Sequence, residues 1–404
     1  MSALSACLPP LSFLCGTNRQ PRRIAAITLA RRVADQRREA VGRTVGYRVG
    51  NGDHQESRNT KIVFCTVGYL LAFLSHNPEY FSRITHLVLD EVHERSVDAD
   101  SLNFLVKNMM ESHPIKLVVM SATLQTDTFG HYFTPRSEIV QDPIFVGARR
   151  FEVQRLFLDS LSAELPDVDE GLVRKMMAKF CSNNVAAKMS SEAKELIVQC
   201  IEALAVTGSA MLVFLPGMDE ICEVQEEIDQ RALLNMSVHV LHSQVPQEDQ
   251  DRSLAPPDAG MSKVILTTNI AESSITVPDV ETVIDTGLVR GMFFDDQRRM
   301  SCLLSKWCSR ASLRQRAGRA GRVKEGTVIH LMTEAFHDRL GEFDEAEILR
   351  TPLTKTVLNV KILFRRFGSP SDVLSKFVAP PPPIRCCRCH ESPPQGQAGH
   401  LPRP

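Results

Sequence analysis

The chain has 404 residues, 43% of them hydrophobic, and a formal net charge of -1 at pH 7. That length exceeds a single compact core and predicts two or three domains of a globular protein. The balanced charge gives no overall basic field, although nucleic-acid binding needs only a local basic stripe. No apolar stretch reaches the ~18 residues of a membrane span, and we expect no secretory signal at the N-terminus.

The cysteines give a further indication of compartment and of metal content. The chain has 11 of them, mostly single and in apolar contexts, so we expect free thiols in a reducing, intracellular compartment. The cluster from Cys386 to His390 is too crowded for a structural zinc site, whose paired ligands need about two residues between them. Residues 384–404 have little core-forming content, and we expect them to be disordered.

The first part of the chain alternates short apolar runs with helical patterns. Strands are predicted at 61–65, 86–89 and 116–120, with helices at 68–74 and 101–110 between them. Such alternation indicates a parallel sheet covered by helices on both faces. The preceding segment is rich in arginine, which indicates either a nucleic-acid stripe or a solvated helix face. Its arginines are Arg19, Arg22, Arg23, Arg31, Arg32, Arg37, Arg38 and Arg43.

The second part repeats the pattern after a predicted linking strand at 151–158 and helical periodicity over 160–205. Further strands are predicted at 210–215, 237–241, 263–267, 282–285 and 327–331. Residues 344–367 are predicted to be helical. The sequence therefore predicts an α/β protein with two similar parallel-sheet lobes.

Two carboxylates and an imidazole, in Asp90-Glu91-Val92-His93, directly follow the apolar run Leu87-Val88-Leu89. Parallel sheets bind ligands beyond the carboxyl ends of their strands. One carboxylate there would hold Mg²⁺ through water, and the other would orient or deprotonate an attacking water. The alternative is an acidic helix N-terminus, which the helix dipole favours. Ser121-Ala122-Thr123 follows the next strand with two hydroxyls, which alternatively form a helix cap.

The segment Gln315–Arg322 offers one amide and three guanidiniums. Arg319 and Arg322, three residues apart, are predicted to share a helical face. Two guanidiniums on one face suit a polyphosphate, or alternatively a generic anion. Residues 267–274 follow a strand with hydroxyl and amide donors, which position a nucleic-acid backbone without reading its bases, or form a polar loop. The sequence contains no G-x-x-x-x-G-K-[ST] phosphate loop.

In order and spacing, these motifs resemble those of the DEAH/DExH-box RNA helicases of helicase superfamily two, over about residues 21–383. The resemblance covers motif Ia at Pro21–Ala26, Ib at Thr66–Leu71, II at Asp90–His93, III at Ser121–Thr123, IV at Phe214–Gly217, V at Thr267–Thr276 and VI at Gln315–Arg322. Glu347–Leu353 resembles the start of the family's winged-helix domain.

The resemblance implies two RecA-like lobes and the start of a winged-helix domain. The expected borders are 18–148 for the first lobe, 149–335 for the second, 336–383 for the winged-helix start and 384–404 for the tail. The first lobe is expected to be truncated at its N-terminal side. It would lack the phosphate loop and the first strand, and its sheet would miss a central strand.

The resemblance also implies roles for single residues. Asp90 and Glu91 would handle Mg²⁺ and water, and His93 would couple the nucleotide site to the second lobe through Ser121 and Thr123. Gln315, Arg319 and Arg322 would meet the γ-phosphate. Further nucleotide contacts would come from Arg32, Leu254 and Thr276, and RNA-backbone contacts from Arg22, Arg23, Thr66, Gly68, Thr268 and Asn269.

Two substitutions would relax nucleotide selection. Leu254 stands where the family has a base-stacking aromatic, and Pro278 stands where it often has an aspartate near the ribose. Residues 287–303 match a β-hairpin that abuts the RNA.

The implied activity is translocation along single-stranded RNA, driven by ATP or other NTPs with Mg²⁺ and coupled to remodelling of duplexes or RNPs. The expected partner is single-stranded RNA or an RNA duplex with a single-stranded tail. A protein activator is a further expected partner, and no membrane is expected. Without a phosphate loop, we expect this chain itself to be inactive as an NTPase. A non-catalytic RNA-binding or regulatory fragment and a DNA helicase are the alternatives, because backbone-directed contacts do not identify the sugar.

Overall fold

A computed structural model gives the structure of the chain. It describes residues 11–16, 21–50, 52–122, 126–135, 138–147, 151–182, 185–231, 235–273, 277, 279–295 and 300–382. Thr123, Thr276, Pro278 and the predicted tail at 384–404 lie outside the described residues, and so does the cluster from Cys386 to His390. Within the described part, two six-stranded sheets and one hairpin form the frame of two α/β lobes.

The first lobe is built on a sheet with strand order β3-β2-β4-β1-β5-β6, parallel except for the β2–β3 pair. Its strands are β1 (Leu11–Gly16), β2 (Val45–Arg48), β3 (His54–Gln55), β4 (Ile62–Thr66), β5 (Ile84–Leu89) and β6 (Lys116–Val119). Its helices are α1 (Pro21–Gln36), α2 (Val67–His76), α3 (Val97–Met110) and α4 (Thr126–Phe133), with 3₁₀ turns at Pro78–Arg83 and Val92–Glu94.

Strand β1 corrects one expectation from the sequence. It pairs in parallel with β4 on one side and with β5 on the other, so that Phe13 lies opposite both Val63 and Leu87. The prediction that the first sheet misses a central strand was therefore wrong. Leu11–Gly16 is short and carries no alternating pattern, so its composition alone did not indicate a strand. Strand β6 lies at the edge of this sheet.

The second lobe has a fully parallel sheet in the order β7-β14-β11-β8-β10-β9. Its elements up to β10 are β7 (Val153–Phe157), α5 (Leu158–Glu164), α6 (Glu170–Phe180), α7 (Ser191–Leu204), β8 (Ala210–Phe214), α8 (Met218–Gln230), β9 (Met236–Leu241), α9 (Gln247–Leu254) and β10 (Ser262–Thr267). The remaining elements are α10 (Ile270–Ser273), β11 (Val280–Asp285), β12 (Leu288–Asp295), β13 (Met300–Trp307), α11 (Arg310–Ala317), β14 (Gly326–His330) and α12 (Glu334–Arg339).

The predicted elements of both lobes are confirmed, including the strands after residue 151 and the hairpin. Strands β12 and β13 form this antiparallel hairpin, paired from Leu288 opposite Trp307 to Asp295 opposite Met300. The strands of the second sheet are apolar because helices cover both faces, and Leu212, Val213 and Ile265 are fully buried.

The C-terminal helices α13 (Glu347–Arg350), α14 (Thr354–Leu363) and α15 (Pro370–Leu374) pack into the core of the first lobe, and α13 also contacts the hairpin. The fully buried Phe104 of α3 contacts Phe364, Phe367 and Phe377, with ring centroids 5.3, 5.5 and 5.6 Å apart. The core of the first lobe is therefore completed by residues far along the chain. Their assignment to a winged-helix domain, like the domain borders, stays a prediction.

The described residues also show the state of six cysteines and the lengths of the helices. Cys65, Cys181, Cys200, Cys222, Cys302 and Cys308 are free thiols. No helix among the described residues is both long enough and apolar enough to cross a bilayer.

Candidate functional site

The loop after β5 carries the predicted acidic motif in a constrained turn. Met120 N donates to Leu89 O at 2.8 Å, and Val92 N donates to Met120 O at 3.3 Å, so the loop is tied to the end of β6. Glu91 has φ +54°, a left-handed conformation that non-glycine residues rarely adopt. Such strained residues concentrate at functional sites. The turn places two carboxylates and His93 together at the carboxyl end of the sheet.

The side chains of this loop and of the β6 end meet at the imidazole of His93. Its Nδ1 lies 3.4 Å from Glu91 Oε2, 3.4 Å from Ser121 Oγ and 3.3 Å from the Ala122 amide nitrogen. The structure thus brings together Glu91, His93 and Ser121, three of the residues assigned to catalysis and coupling. Thr123, assigned with them, lies outside the described residues.

Asp90 provides the second carboxylate, and its Oδ1 accepts a hydrogen bond from Glu91 N at 2.9 Å. Burial and then the charge of Glu94 raise its pKa, against the lowering effect of that hydrogen bond. The oxygen donors of Asp90 and Glu91 suit Mg²⁺, which binds few carboxylates and keeps several waters. The described residues contain no group of three or more His, Cys, Asp or Glu side chains that could hold a metal. The ion would therefore depend on water and on substrate phosphates for its remaining ligands.

In the second lobe, α11 presents the arginine-rich motif but ends earlier than predicted. Ser309 caps its first turn by accepting from Ser312 N, and the helix ends at Ala317 with Gly318 as its C-cap. Arg319 and Arg322 therefore lie in the following turn, and the prediction that they share a helical face was wrong. Gly321 has φ +71°, and a Cβ there would lie 2.4 Å from Val153 Cγ2, so this turn requires glycine.

Arg316, the first arginine of the motif, was given no role by the sequence, and the structure places it inside the lobe. Its side chain is 1% exposed and pairs with Glu272 and Asp285, each at 2.9 Å. Its guanidinium lies 5.0 Å from the centroid of the Phe214 ring. The charges around it hold its pKa well above the usual value in spite of burial. Arg316 is thus a structural cross-link between α11, α10 and β11.

Arg319 is 7% exposed, and its Nη2 donates to the backbone oxygen of Glu272. Burial and the neighbouring charge of Arg322 lower its pKa to about 10, while Glu91 of the first lobe acts in the opposite direction. Burial also lowers the pKa of Arg322, whose Nε donates to Gly318 O at 3.3 Å. Arg319 remains protonated at neutral pH and lies within electrostatic reach of the acidic loop of the first lobe.

A cleft of about 430 Å³ opens where the lobes and the C-terminal segment meet. His93, Glu94 and Ser96 line it from the first lobe. Thr268, Asn269 and Gln315, all predicted site residues, line it from the second. Thr268 is 7% exposed, whereas Asn269 is exposed. The cleft therefore collects the predicted residue His93 from the first lobe and three predicted residues from the second, whereas the lining does not include Asp90, Glu91, Ser121, Arg319 or Arg322.

Other predicted residues lie elsewhere. Arg32 is exposed on α1, and Leu254 ends α9 and packs against the core of the second lobe. Thr66 is the buried N-cap residue of α2, and Gly68 is half-buried in the first turn of that helix. None of these four is among the residues that line the cleft.

Two nucleic-acid candidates and one nucleotide candidate are only partly described. Arg22 and Arg23 belong to α1, but their side chains lie outside the described part of the structure, and Thr276 lies outside it entirely. Sequence reasoning missed the partners of Arg316, and it missed Arg290. The guanidinium of Arg290 binds Asp219 and Glu220 at 2.8 and 2.7 Å. Their pairing depends on long-range folding, and no local motif marks it.

The geometry defines a protein of two parallel-sheet lobes with polar motifs facing each other, and comparison with known proteins agrees. Residues 26–129 match the family described as DEAD/DEAH box helicase, and residues 192–324 match the helicase conserved C-terminal domain. The crystal structure of the E. coli DExH-box NTPase HrpB superposes with a TM-score of 0.71 at 28% identity, covering 95% of this chain and 42% of that chain. The lobes are therefore RecA-like.

The sequence relatives are of the same kind. The probable ATP-dependent RNA helicase spindle-E of Drosophila mojavensis is 35% identical over 379 residues, covering 90% of this chain and 26% of the relative. The DExH-box ATP-dependent RNA helicase DExH1 of Arabidopsis thaliana is 33% identical over 404 residues, covering 90% of this chain and 40% of the relative. This chain belongs to the DExH-box helicases of superfamily two, and it spans about a quarter to two fifths of the length of these relatives.

Proposed function

We propose that this chain is the core of an ATP-dependent RNA helicase, with nucleotide between the lobes and single-stranded RNA across the carboxyl ends of both sheets. The observation that carries the proposal is the convergence of His93 and Gln315 on one interlobe cleft. Glu91 of one lobe also acts electrostatically on Arg319 of the other. The names of the relatives support ATP as the nucleotide and RNA as the substrate.

The predicted site residues have distinct tasks in this proposal. Glu91, fixed in its left-handed turn, orients the attacking water, and His93 connects that turn to Ser121. Arg319 and Arg322 supply guanidiniums that stabilise charge developing on the γ-phosphate, and Gln315 meets the same phosphate. Asp90 and Glu91 would hold Mg²⁺, which neutralises phosphate charge when bound. Arg32, Leu254 and Thr276 complete the nucleotide contacts.

Turnover by the 404-residue chain is expected to be negligible. The sequence has no G-x-x-x-x-G-K-[ST] loop, whose backbone amides and lysine cradle the β- and γ-phosphates. Phosphate release from ATP, measured with and without single-stranded RNA, tests this. RNA-stimulated release that disappears in Glu91→Gln would contradict the expectation and reveal a different phosphate site. The scaffold would then be catalytic in its present form rather than a non-catalytic RNA binder.

RNA binding is the activity that we expect this chain to retain. Phosphate contacts from Arg22, Arg23, Thr66 and Gly68 in one lobe and from Thr268 and Asn269 in the other would give weak, sequence-tolerant and salt-sensitive affinity. Replacing Arg22 and Arg23 by Ala should weaken binding equally for different sequences and flatten the salt slope by up to about two units. The matched control replaces the exposed Arg365 and Arg366 by Ala and should leave the slope unchanged.

Two outcomes would contradict this proposal. Absence of RNA binding by folded protein at ~50 mM salt, where phosphate contacts are strongest, would remove the proposed function of the scaffold. Tighter binding of single-stranded DNA than of RNA of the same sequence would favour a DNA substrate, because a 2′-hydroxyl contact is what distinguishes RNA at a given site.

A further inference from the structure

The chain leaves the second lobe through residues 341–350, here called the junction segment, before it enters the C-terminal helices. The segment ends in the single helical turn α13. It contacts the second lobe, the first lobe and the hairpin β12–β13 in succession. Phe343, Asp344, Glu345, Glu347 and Arg350 of this segment also line the interlobe cleft. The segment therefore lies where a movement of one lobe relative to the other would change its contacts.

The beginning of the junction segment holds the arginine-bearing helix α11. Arg310 N donates to Gly341 O at 2.9 Å, and Ala311 N donates to Glu342 O at 3.0 Å. The carboxylate of Glu342 binds the side chains of Arg310 and Arg314. The first half of the segment thus moves with α11 and with the turn that follows it. This turn carries Arg319 and Arg322 and is here called the arginine turn.

Asp344 connects the same helix to the hairpin. It accepts from Ser309 Oγ, the N-cap residue of α11, at 2.9 Å and from Lys306 Nζ of β13 at 2.8 Å. One carboxylate therefore ties the start of α11 to one strand of the hairpin.

Glu347, at the start of α13, is bound to the first lobe. Its Oε2 accepts from Val97 N at 3.1 Å, and its own N donates to Arg95 O at 3.0 Å. Val97 begins α3, so the carboxylate lies at the positive end of that helix. Arg95 is itself fixed by Asp100, with hydrogen bonds of 3.0 and 3.1 Å. Glu347 is thereby attached to the far end of the loop that begins with Asp90 and Glu91.

Arg350, at the end of α13, reaches the other strand of the hairpin. Its Nη1 donates to Met292 O at 3.4 Å, and its guanidinium lies 5.8 Å from the centroid of the Phe293 ring. Lys306 Nζ lies 5.8 Å from the same ring. Between these two anchors, Ile348 is fully buried in the core of the first lobe. The short helix therefore has one end on the first lobe and the other on the hairpin of the second.

We propose that α13 is a mechanical link, with Glu347 and Arg350 as positioning residues that set the hairpin according to the position of the first lobe. The two residues are three apart on one turn, so a shift of the first lobe either carries the hairpin with it or breaks a contact. The structural part of this inference is independent of the proposed function. Its consequence for RNA rests on that function, because the hairpin would then meet the RNA as the lobes move.

Hydrogen exchange of the full 404-residue chain, without RNA, tests the link. Arg350→Gln should accelerate exchange in the hairpin peptides 288–295 and 300–307 about tenfold, the scale of one lost charged hydrogen bond. Glu347→Ala, which removes the contact with Val97 at the start of α3, should accelerate the same peptides about threefold. Arg365→Gln, an exposed arginine on the same group of helices, is the matched control and should change neither.

The effect of Glu347→Ala on exchange in the hairpin decides whether α13 is a link. Faster exchange at the start of α3 in Glu347→Ala, with an unchanged hairpin, would overturn the link and leave two separate local contacts. Peptide 354–363 reports whether the C-terminal helices stay folded. If they loosen in Glu347→Ala, Glu347→Gln is the second variant. Glu347→Gln keeps an acceptor oxygen, so its hairpin peptides should exchange faster than those of the wild type and more slowly than those of Arg350→Gln. Hairpin exchange at the wild-type rate would contradict the link.

Adding single-stranded RNA separates this inference from the proposed function. In the wild type, RNA should slow exchange in the hairpin and at the start of α3 together. In Arg350→Gln and Glu347→Ala only one of the two regions should respond. A joint response in both variants would overturn the link. If RNA does not bind the wild type, the proposed function fails, while the measurements without RNA still decide whether α13 connects the lobes.

Discussion

The two lobes share a parallel-sheet plan but hold their polar residues differently. In the second lobe, charged and titratable groups lie inside: Arg316, Asp285 and His330 are at most 2% exposed. Arg316 and Asp285 cross-link α11 and β11 behind the turn that carries Arg319 and Arg322, and His330 of β14 lies beside them, with its Nδ1 3.9 Å from Asp285 Oδ2. In the first lobe, Arg95 and Asp100 form one buried pair, but the motif residues lie at the rim of the sheet, where Asp90 is half-buried and Ser121 is exposed.

Both lobes expose some apolar side chains, but they complete their cores differently. The first lobe exposes Ile144, Phe145 and Val146, which are 85–89% exposed, and the second exposes Leu303 and Leu304 on its hairpin. Its core also depends on the C-terminal helices, through the contacts of Phe104. The second lobe therefore fixes its arginines with its own residues, whereas the first lobe relies on distant segments. This difference predicts separate unfolding behaviour and separate functional sensitivity for the two lobes.

The largest expected effect concerns the arginine turn of the second lobe. In a form supplied with a G-x-x-x-x-G-K-[ST] loop that hydrolyses ATP, Arg319→Ala or Arg322→Ala should reduce turnover ~10³-fold or more, the scale of a lost arginine finger. RNA affinity without nucleotide should hardly change. Steady-state ATPase assays and RNA titrations measure the two quantities. Loss of RNA binding with intact single-turnover hydrolysis would instead assign these arginines to the RNA path.

The buried arginine should matter for stability rather than for chemistry. Arg316→Ala leaves Glu272 and Asp285 buried without their cation, which costs about 3–5 kcal/mol. Trp307 is the only tryptophan of the chain, and it packs against Phe336 with ring centroids 4.9 Å apart, so its fluorescence reports the second lobe. The urea midpoint followed by this signal should fall strongly. Arg314→Ala, which breaks a partly exposed pair with Glu342, is the control and should shift it little.

A matching substitution tests the first lobe. Phe104→Ala removes the aromatic side chain on which the C-terminal helices pack, and such losses cost about 3 kcal/mol or more. Hydrogen exchange should rise across α3 and α14, while the Trp307 transition stays in place. Phe145→Ala, at an 85% exposed site, should leave both unchanged. A joint shift of both signals in Phe104→Ala would mean that the lobes unfold as one unit.

Much of the fold follows from the sequence because parallel strands with covered faces are continuous apolar runs. Val63 and Cys65 of β4, or Leu212 and Val213 of β8, are fully buried in that manner. Strand β1 was not predicted because it has no periodic signal, and only its pairing with β4 and β5 identifies it as a strand. The short strands β2 and β3 were not predicted for the same reason.

The candidate site was predictable as a set of motifs but not as a geometry. The positions of Arg319 and Arg322 were misjudged because helical spacing says nothing about where α11 ends, which Gly318 decides. The partners of Arg316 lie 31 and 44 residues away, and Val97 and Glu347 lie 250 residues apart. A single sequence does not show which distant charges the fold will pair.

The smallest effect is a pH dependence of the second lobe that arises from His330. This histidine is 2% exposed and stacks on Phe157 at 5.2 Å. Burial lowers its pKa to about 4, with Asp285 opposing and His337, Arg155 and Arg316 assisting the shift. An unfolded histidine has a pKa near ~6.5, so between these values the unfolded chain binds a proton that the folded chain does not. Stability should therefore be complete above about pH 6.5 and fall as the pH is lowered towards 4.

From pH 7 to pH 5 the expected loss is about 2 kcal/mol, obtained from the two pKa values by proton linkage. Urea midpoints of the Trp307 signal at both pH values measure the loss, and His330→Gln provides the control because its side chain does not titrate. That variant is less stable at pH 7 but should lose about 2 kcal/mol less than the wild type on acidification. Equal losses in the two proteins would show that His330 is protonated in the fold. Asp285 would then have to neutralise two buried cations, His330 and Arg316. The contrast between the buried polar network of the second lobe and the exposed motif residues of the first would then lose its support from His330.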